Sequence, residues 1–191
     1  ALRFSGLMDV EELEALSLLP FPALKAWKIR GVAEVDGQAR GPWGQWSQAA
    51  FQARVHANRL SVRDLPIEDL ACQIEHAGRV LRVHIPSALI AAGTSWGQLT
   101  IDGRLPQQPS FLVEADVVSL QLEQLARTIP AWRHRSMNGA ASAHVTLSGT
   151  WRDRSTWRGE GWLNASGDRL GDIPLLDRFF QGGVLGPLAE W

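Results

Sequence analysis

Hydrophobic and polar residues alternate along five stretches of the chain: 51–58, 70–75, 81–85, 111–117 and 141–147. A period of two places the apolar side chains on one face of a β-strand and the polar side chains on the other. One apolar face and one wetted face are typical of antiparallel sheet. Glycines punctuate the ends of these stretches, as expected where strands turn. The pattern therefore predicts a mainly β fold built on a mostly antiparallel sheet.

Three other stretches have helical features instead. Leucines in 9–19 and apolar residues in 119–129 recur at helical spacing, and a proline follows each stretch and ends it. Ser119 is the expected N-cap of the second helix. A third short helix is predicted at 175–180, between a proline and a glycine pair. We therefore expect two or three short helices beside the sheet.

The chain also contains an internal repeat with an offset of 108 residues. Residues 22–66 align with 130–174 without a gap, and ten of the 45 positions are identical. The matches fall on residues that fix turns and corners: Pro22 with Pro130, Gly31 with Gly139, Gly41 with Gly149, Trp43 with Trp151 and Pro66 with Pro174. Repeats of this kind usually stack into one continuous structure.

The repeat divides the chain into two predicted units. Residues 1–115 form a first unit of helix plus strands, and residues 116–191 form a second, incomplete unit. We expect the two units to share one continuous sheet. We also expect the chain to be a segment of a longer protein.

Composition excludes several classes of protein. The net charge of −1 argues against nucleic-acid binding, and the single cysteine excludes a disulfide framework. The five histidines lack metal-ligand spacing, and we expect the three at polar strand positions, His56, His84 and His144, to face solvent. No nucleotide-binding or nucleophile motif occurs. The sequence therefore predicts a protein that is not an enzyme and that needs no metal or organic cofactor.

The nine tryptophans allow two interpretations. Exposed indoles stack on sugar rings, so a carbohydrate-binding module is one alternative. Five tryptophans are expected in or beside glycine-rich turns, where indoles also plug sheet edges or pack over glycines: Trp43, Trp46, Trp96, Trp151 and Trp157. Because Trp43 and Trp151 are equivalent in the repeat, we favour a structural role for that pair. Trp162 carries no clear signal of either kind.

One passage carries a family resemblance. Gly159-Glu160-Gly161-Trp162-Leu163 is followed by Leu170-Gly171-Asp172-Ile173-Pro174-Leu175-Leu176, after a leucine-rich helix and a glycine-started strand. With the repeat, this arrangement resembles the AsmA-like superfamily, which includes envelope proteins of the TamB and YhdP types. The high tryptophan content departs from that pattern.

The resemblance implies a fold, a location and a function. The sheet would curve into an open trough or half-barrel with a hydrophobic interior. The protein would lie in the periplasm, tethered to the inner membrane by a segment absent from this chain. Its partners would be phospholipid acyl chains, carried between the inner and outer membranes, and other envelope membrane proteins. No reaction and no nucleic acid would be involved.

The apolar phase of each strand supplies the residues expected to line this groove. They are Phe51, Val55, Ile74, Leu81, Val83, Ile85, Phe111, Val113, Val145 and Leu163. Alternation alone also fits a closed sandwich core, and only the repeat and the resemblance favour the trough. A non-catalytic structural scaffold of the envelope is therefore a further alternative.

Overall fold

The computed structural model describes residues 2–10, 28–41, 49–62, 65–128, 136–151 and 153–169. These residues form nine strands and one short helix. The strands are β1 (Leu2–Asp9), β2 (Ile29–Arg40), β3 (Ala50–Val62), β4 (Leu65–Ala77), β5 (Val80–Ile90), β6 (Gly93–Asp102), β7 (Ser110–Gln121), β8 (Asn138–Thr150) and β9 (Asp153–Arg169), and the helix is α1 (Leu122–Thr128).

All nine strands pair in chain order, each antiparallel to the next, in one open sheet. Two of the connections are two-residue turns in which both residues have positive φ: Gly78–Arg79 and Ala91–Ala92. Turns of this kind match the right-handed twist of the strands that they join. The expected mainly β, antiparallel sheet is confirmed.

The pairing register gives the sheet two chemically different faces. Directly opposed residues share a face, so Ile74, Val83 and Leu99, which lie opposite one another across β4, β5 and β6, point to the same side. We call this side the apolar face. Their sequence neighbours Gln73, His84 and Gln98 lie on the other side, which we call the polar face.

Among the residues that the structure describes, the core consists of three clusters on the apolar side. One lies on β2 and β3, one on β5 to β7, and one beneath α1. Their buried members are Ala33, Val35, Ala57 and Leu60; Leu81, Ile101 and Phe111; and Leu122, Ala126, Met137 and Ala141. Helix α1 therefore covers one end of the apolar face. Glu123 and Arg127 form an i, i+4 ion pair on its exposed side.

Two glycines stand where strands leave their regular pairing. Gly31 in β2 has a φ of 128°, and Gly139 in β8 has a φ of 120°. A register shift follows Gly31 in its pairing with β3, and another lies at Gly139 in its pairing with β9. Only glycine adopts this φ readily, so the residue type permits the bulge.

The expected helices need correction. The helix predicted at 119–129 begins only at Leu122, because β7 continues through a register shift to Gln121. Ser119 lies in that strand with a φ of 57°, so the predicted N-cap role is wrong. Asp9 ends β1, and Val10, the next residue, is helical, so the helix predicted at 9–19 begins one residue later than expected. The remainder of the helix at 9–19, from 11 onward, and the helix at 175–180 lie outside the described residues.

The predicted boundary between the two units lies between residues 115 and 116, within β7. The sheet continues across it from β7 to β8. The division of the chain into two units stays a prediction.

Candidate functional site

All ten residues expected to line a groove lie on the apolar face. The pairing brings Phe51, Val55 and Ile74 together with Val83 across β3 to β5. The same face continues through Phe111 and Val113 on β7 to Val145 on β8 and Leu163 on β9. Leu81 and Ile85 complete the set on β5. Whether this surface binds lipid stays a prediction.

The exposure of these side chains changes along the sheet. Leu81 and Phe111 are buried, and most of the others are half-buried among their neighbours on the same face. Val145 and Leu163 are exposed. The part of the apolar face on β8 and β9 therefore keeps more free apolar surface than the part on β5 to β7.

Sequence reasoning missed the apolar residues of β1 and β6. Leu99 and Ile101 of β6 lie opposite Val113 and Phe111, and Phe4 of β1 packs on the cluster of β2 and β3. The alternation in these strands was hidden because glycine or serine takes some apolar positions, as Gly97 does. Counting glycine as compatible with either face would have found both strands.

In the described part of the sheet, two polar side chains are buried on the apolar face, and each makes a hydrogen bond to a backbone carbonyl oxygen. His76 donates from Nδ1 to the carbonyl oxygen of Ala49 at 2.9 Å, and its ring stacks on Phe51 with 5.3 Å between centroids. The hydroxyl of Ser95 donates to the carbonyl oxygen of Ala88 at 3.1 Å. These hydrogen bonds fix both side chains to the backbone of neighbouring segments.

Two tryptophans pack around Phe111. Trp157 meets the Phe111 ring edge-on at 5.2 Å and donates from Nε1 to the carbonyl oxygen of Thr150 at 3.0 Å. Trp151 meets the same ring edge-on at 5.7 Å. These contacts are those of structural tryptophans. Trp43, the expected repeat partner of Trp151, lies outside the described residues.

The polar face carries a second group of residues that the sequence did not reveal. Trp96, Asp116, His144 and Trp162 lie directly opposite one another on β6, β7, β8 and β9. We call these four residues the indole row. Trp96 lies within β6 and not in a turn, contrary to the expectation from its glycine-rich surroundings.

The centre of the indole row is a hydrogen-bonded pair. A carboxylate can only accept, so Nδ1 of His144 donates to Oδ1 of Asp116, at 2.8 Å. Thr146 Oγ1 lies 3.2 Å from Nε2 of the same ring. His144 thus lies on the polar face, as expected, but its side chain is only partly exposed because both ring nitrogens have partners. His56 and His84 are exposed, as expected.

Cys72 lies on the apolar face of β4 and is buried, as expected of a small core residue. Burial raises the pKa of the Cys72 thiol to about 11, because the thiolate would lose its hydration. A thiol of this kind is a poor nucleophile at neutral pH.

None of the described residues forms a group of three or more metal-binding side chains. Within the described part of the chain, no helix has the length and apolarity needed to cross a membrane. Comparisons with protein-family models, with curated proteins and with solved structures find no match. The resemblance to the AsmA-like superfamily therefore stays a prediction.

Proposed function

We propose that this chain is a segment of an AsmA-like envelope protein that shields lipid acyl chains on its apolar face and supports phospholipid transport across the periplasm. The observation that carries the proposal is an apolar face, with three core clusters, that extends across an open sheet of nine strands. Among the described residues, α1 and Val10 are what pack on it. Contiguous exposed apolar surface commonly marks an interaction site, which supports the proposal.

Local geometry supports a trough open toward the apolar face. A side chain at Gly97 would point to that face, and its Cβ would come within 2.7 Å of the Glu114 carbonyl oxygen on β7. At Gly93, the Cβ would come within 2.6 Å of Leu120 Cα. At both glycines, backbone atoms of β7 lie close to the position that a side chain would take on the apolar face. This close approach is expected where strands bend toward the apolar face, and glycines commonly mark such bends.

The register of two hairpins supports the proposed repeat. Val35 lies opposite Val55 in the β2–β3 pair. Ala143 and Leu163, which follow these residues by 108 positions, lie opposite each other in the β8–β9 pair. The bulges at Gly31 and at its repeat partner also fall at corresponding places.

The preceding strands differ between the two proposed units. Met8 lies opposite Ala33 on the apolar face, whereas Leu120 lies opposite Ala141, the repeat partner of Ala33. The offset between Met8 and Leu120 is thus 112 residues and not 108. In the proposed repeat, the segment between the first strand and the hairpin that follows it is therefore four residues shorter in the second unit than in the first.

The proposed mechanism requires no reaction. Acyl chains would lie along the apolar face, where they lose contact with water, and headgroups would stay at its open side. Burial of apolar surface contributes about 25 cal/mol per Å², so each shielded methylene group gains roughly 0.8 kcal/mol relative to water. In this proposal a membrane tether outside the chain would hold the segment in the periplasm.

The test is photo-cross-linking from matched positions on the two faces. Val145 on the apolar face is 41% exposed and Leu112 on the polar face is 42% exposed. A benzophenone amino acid is placed at each position in turn, and the protein is irradiated with vesicles of radiolabelled phosphatidylethanolamine and phosphatidylglycerol. We expect label from Val145 and little from Leu112.

Two outcomes would contradict the proposal. Equal labelling from both positions would mean that the protein adsorbs to membranes without using its apolar face. No labelling from either position would favour the non-catalytic scaffold instead.

A further inference from the structure

We propose that the indole row on the polar face is a binding site for a glycan, a short chain of neutral pyranose sugars. The site is separate from the apolar face and does not rest on the lipid proposal. The proposal rests on the arrangement of one cross-strand row, in which Trp96 and Trp162 lie at the two ends and Asp116 and His144 lie between them.

The spacing of the two indoles suits an oligosaccharide. Trp96 and Trp162 are separated by three strand intervals, and each interval is about 4.8 Å, so their backbones lie roughly 14 Å apart. A single sugar ring cannot stack on both indoles at that separation. A chain of several sugars crossing β6 to β9 can.

Both indoles are available to a ligand. Trp96 is 41% exposed and Trp162 is 53% exposed. Neither donates its indole N–H to any of the described residues, whereas Trp157 donates to a backbone carbonyl. One face of Trp162 lies toward the ring of His144, with 6.4 Å between centroids and an angle of 20° between planes. The histidine thus orients an indole that is still half in solvent.

Hydroxyl-binding groups lie beside the indoles. Asp116 accepts from His144 through Oδ1 and keeps further acceptor capacity. In the adjacent row of the polar face, Gln98 donates to Oε2 of Glu114 at 2.6 Å, so this pair is also held in place. Sugars present apolar C–H faces and hydroxyl edges, which match indoles flanked by fixed carboxylates and amides.

The structure of the sheet does not require these residues. In the β2–β3 pair, the positions that precede His144 and Trp162 by 108 residues are Asp36 and Arg54, and they also lie opposite each other. The same hairpin register is therefore built with charged residues in place of the aromatic pair. Because charged residues can take the positions of His144 and Trp162 in such a hairpin, ligand binding is a better explanation for the indole of Trp162 than sheet structure.

The charge of the site favours a glycan over single-stranded nucleic acid as the ligand. Single-stranded nucleic acid also uses aromatic platforms, but it requires a positively charged groove for its phosphates. The indole row and the adjacent row contain Asp116, Glu114 and Glu160 and no lysine or arginine. These carboxylates repel phosphate and accept hydrogen bonds from sugar hydroxyls.

The experiment measures binding of the 191-residue chain to defined oligosaccharides. The probes are the hexamers of β-1,4-linked N-acetylglucosamine, β-1,4-linked glucose and α-1,4-linked glucose. Binding of each hexamer is measured by isothermal titration calorimetry and by the change in tryptophan fluorescence. We expect at least one hexamer to bind, and Trp162→Ala and Trp96→Ala each to weaken its binding by about tenfold or more, as loss of one stacking contact does. Circular dichroism checks that each variant keeps its fold.

Two control variants are matched to the site. Arg54→Ala changes the corresponding position of the other hairpin, and Leu112→Ala removes an exposed apolar side chain from the same face outside the row. Both should bind as the unchanged protein does. Absence of binding to all three hexamers would overturn the proposal, as would binding that Trp96→Ala and Trp162→Ala leave unaltered. Lipid labelling from the apolar face should be the same in both tryptophan variants, so failure here is distinguishable from failure of the lipid proposal.

Discussion

Replacing Val83 with aspartate separates an open trough from a closed core. Val83 lies on β5 between Ile74 of β4 and Leu99 of β6, and its side chain is half-buried on the apolar face. In a trough, a carboxylate at this position can turn toward water at the open side. In a closed sandwich, the same carboxylate would be enclosed by a second apolar layer.

The two geometries predict different costs. Full burial of a valine stabilises by roughly 1.5–3 kcal/mol, so loss of a half-buried one costs about 1 kcal/mol. Partial desolvation of the carboxylate adds about 1–2 kcal/mol, which gives a total of about 2–3 kcal/mol. For a chain of this size the Tm should fall by about 5–10 °C. Enclosure of an unpaired charge would instead cost about 4 kcal/mol or more.

Thermal melts followed by circular dichroism measure the cost, and two variants calibrate it. Leu81→Asp, on the same strand and face, replaces a side chain that is only 6% exposed, so it should unfold the protein. His84→Asp lies on the polar face of the same strand and should change stability by no more than about 0.5 kcal/mol. Val83→Asp should fall between them.

Lipid labelling from Val145 completes this prediction. A charge on the apolar face must be desolvated when an acyl chain lies over it, so Val83→Asp should reduce labelling sharply. Outright unfolding of Val83→Asp would refute the trough and favour the scaffold. A folded Val83→Asp variant with full labelling would refute the lipid path.

Three further predictions concern single residues. Gly139→Ala should lower the free energy of unfolding by about 2 kcal/mol or more in urea titrations, because alanine is strained at a φ of 120° and its Cβ would collide with the backbone of β9. Gly6→Ala is the control, and it should be close to neutral because the space around Gly6 is open. Iodoacetamide at pH 8 should modify Cys72 slowly in the native protein and quickly in urea, since burial raises its pKa to about 11, and fast native modification would contradict this. The Arg104 side chain, by hydrogen bonding, lowers the pKa of Asp102 to about 2. The stabilisation of the folded state by this pair is therefore present above the ordinary pKa of an aspartate and is lost as the pH falls toward 2. Carbon-detected NMR titration should show the lowered pKa of Asp102, and Arg104→Ala should return that pKa to the ordinary range of an aspartate.

The strands with unbroken alternation could be predicted from the sequence, and with them the composition of the apolar face. This worked because a side-chain period of two requires only local information. It failed for β1 and β6, where Gly6 and Gly97 take apolar positions. It also failed at Ser119, because the bulge that keeps this residue in β7 depends on its pairing with β8.

The indole row could not be predicted for a different reason. Its four residues are far apart in the chain, and they meet only through the register of three successive strand pairs. Nothing near Trp162 in the sequence distinguishes it from Trp157, which packs against Phe111. Register depends on turn lengths and bulges, which the alternation pattern does not specify.

Native mass spectrometry of the purified chain tests the central proposal most directly. The protein is produced with export to the periplasm, purified without detergent and sprayed from volatile buffer. We expect peaks displaced by the masses of phospholipids, and fewer of them in Val83→Asp than in His84→Asp. A spectrum of protein without bound phospholipid, taken from a sample that circular dichroism shows to be folded β-sheet, would contradict the proposal that the apolar face shields acyl chains.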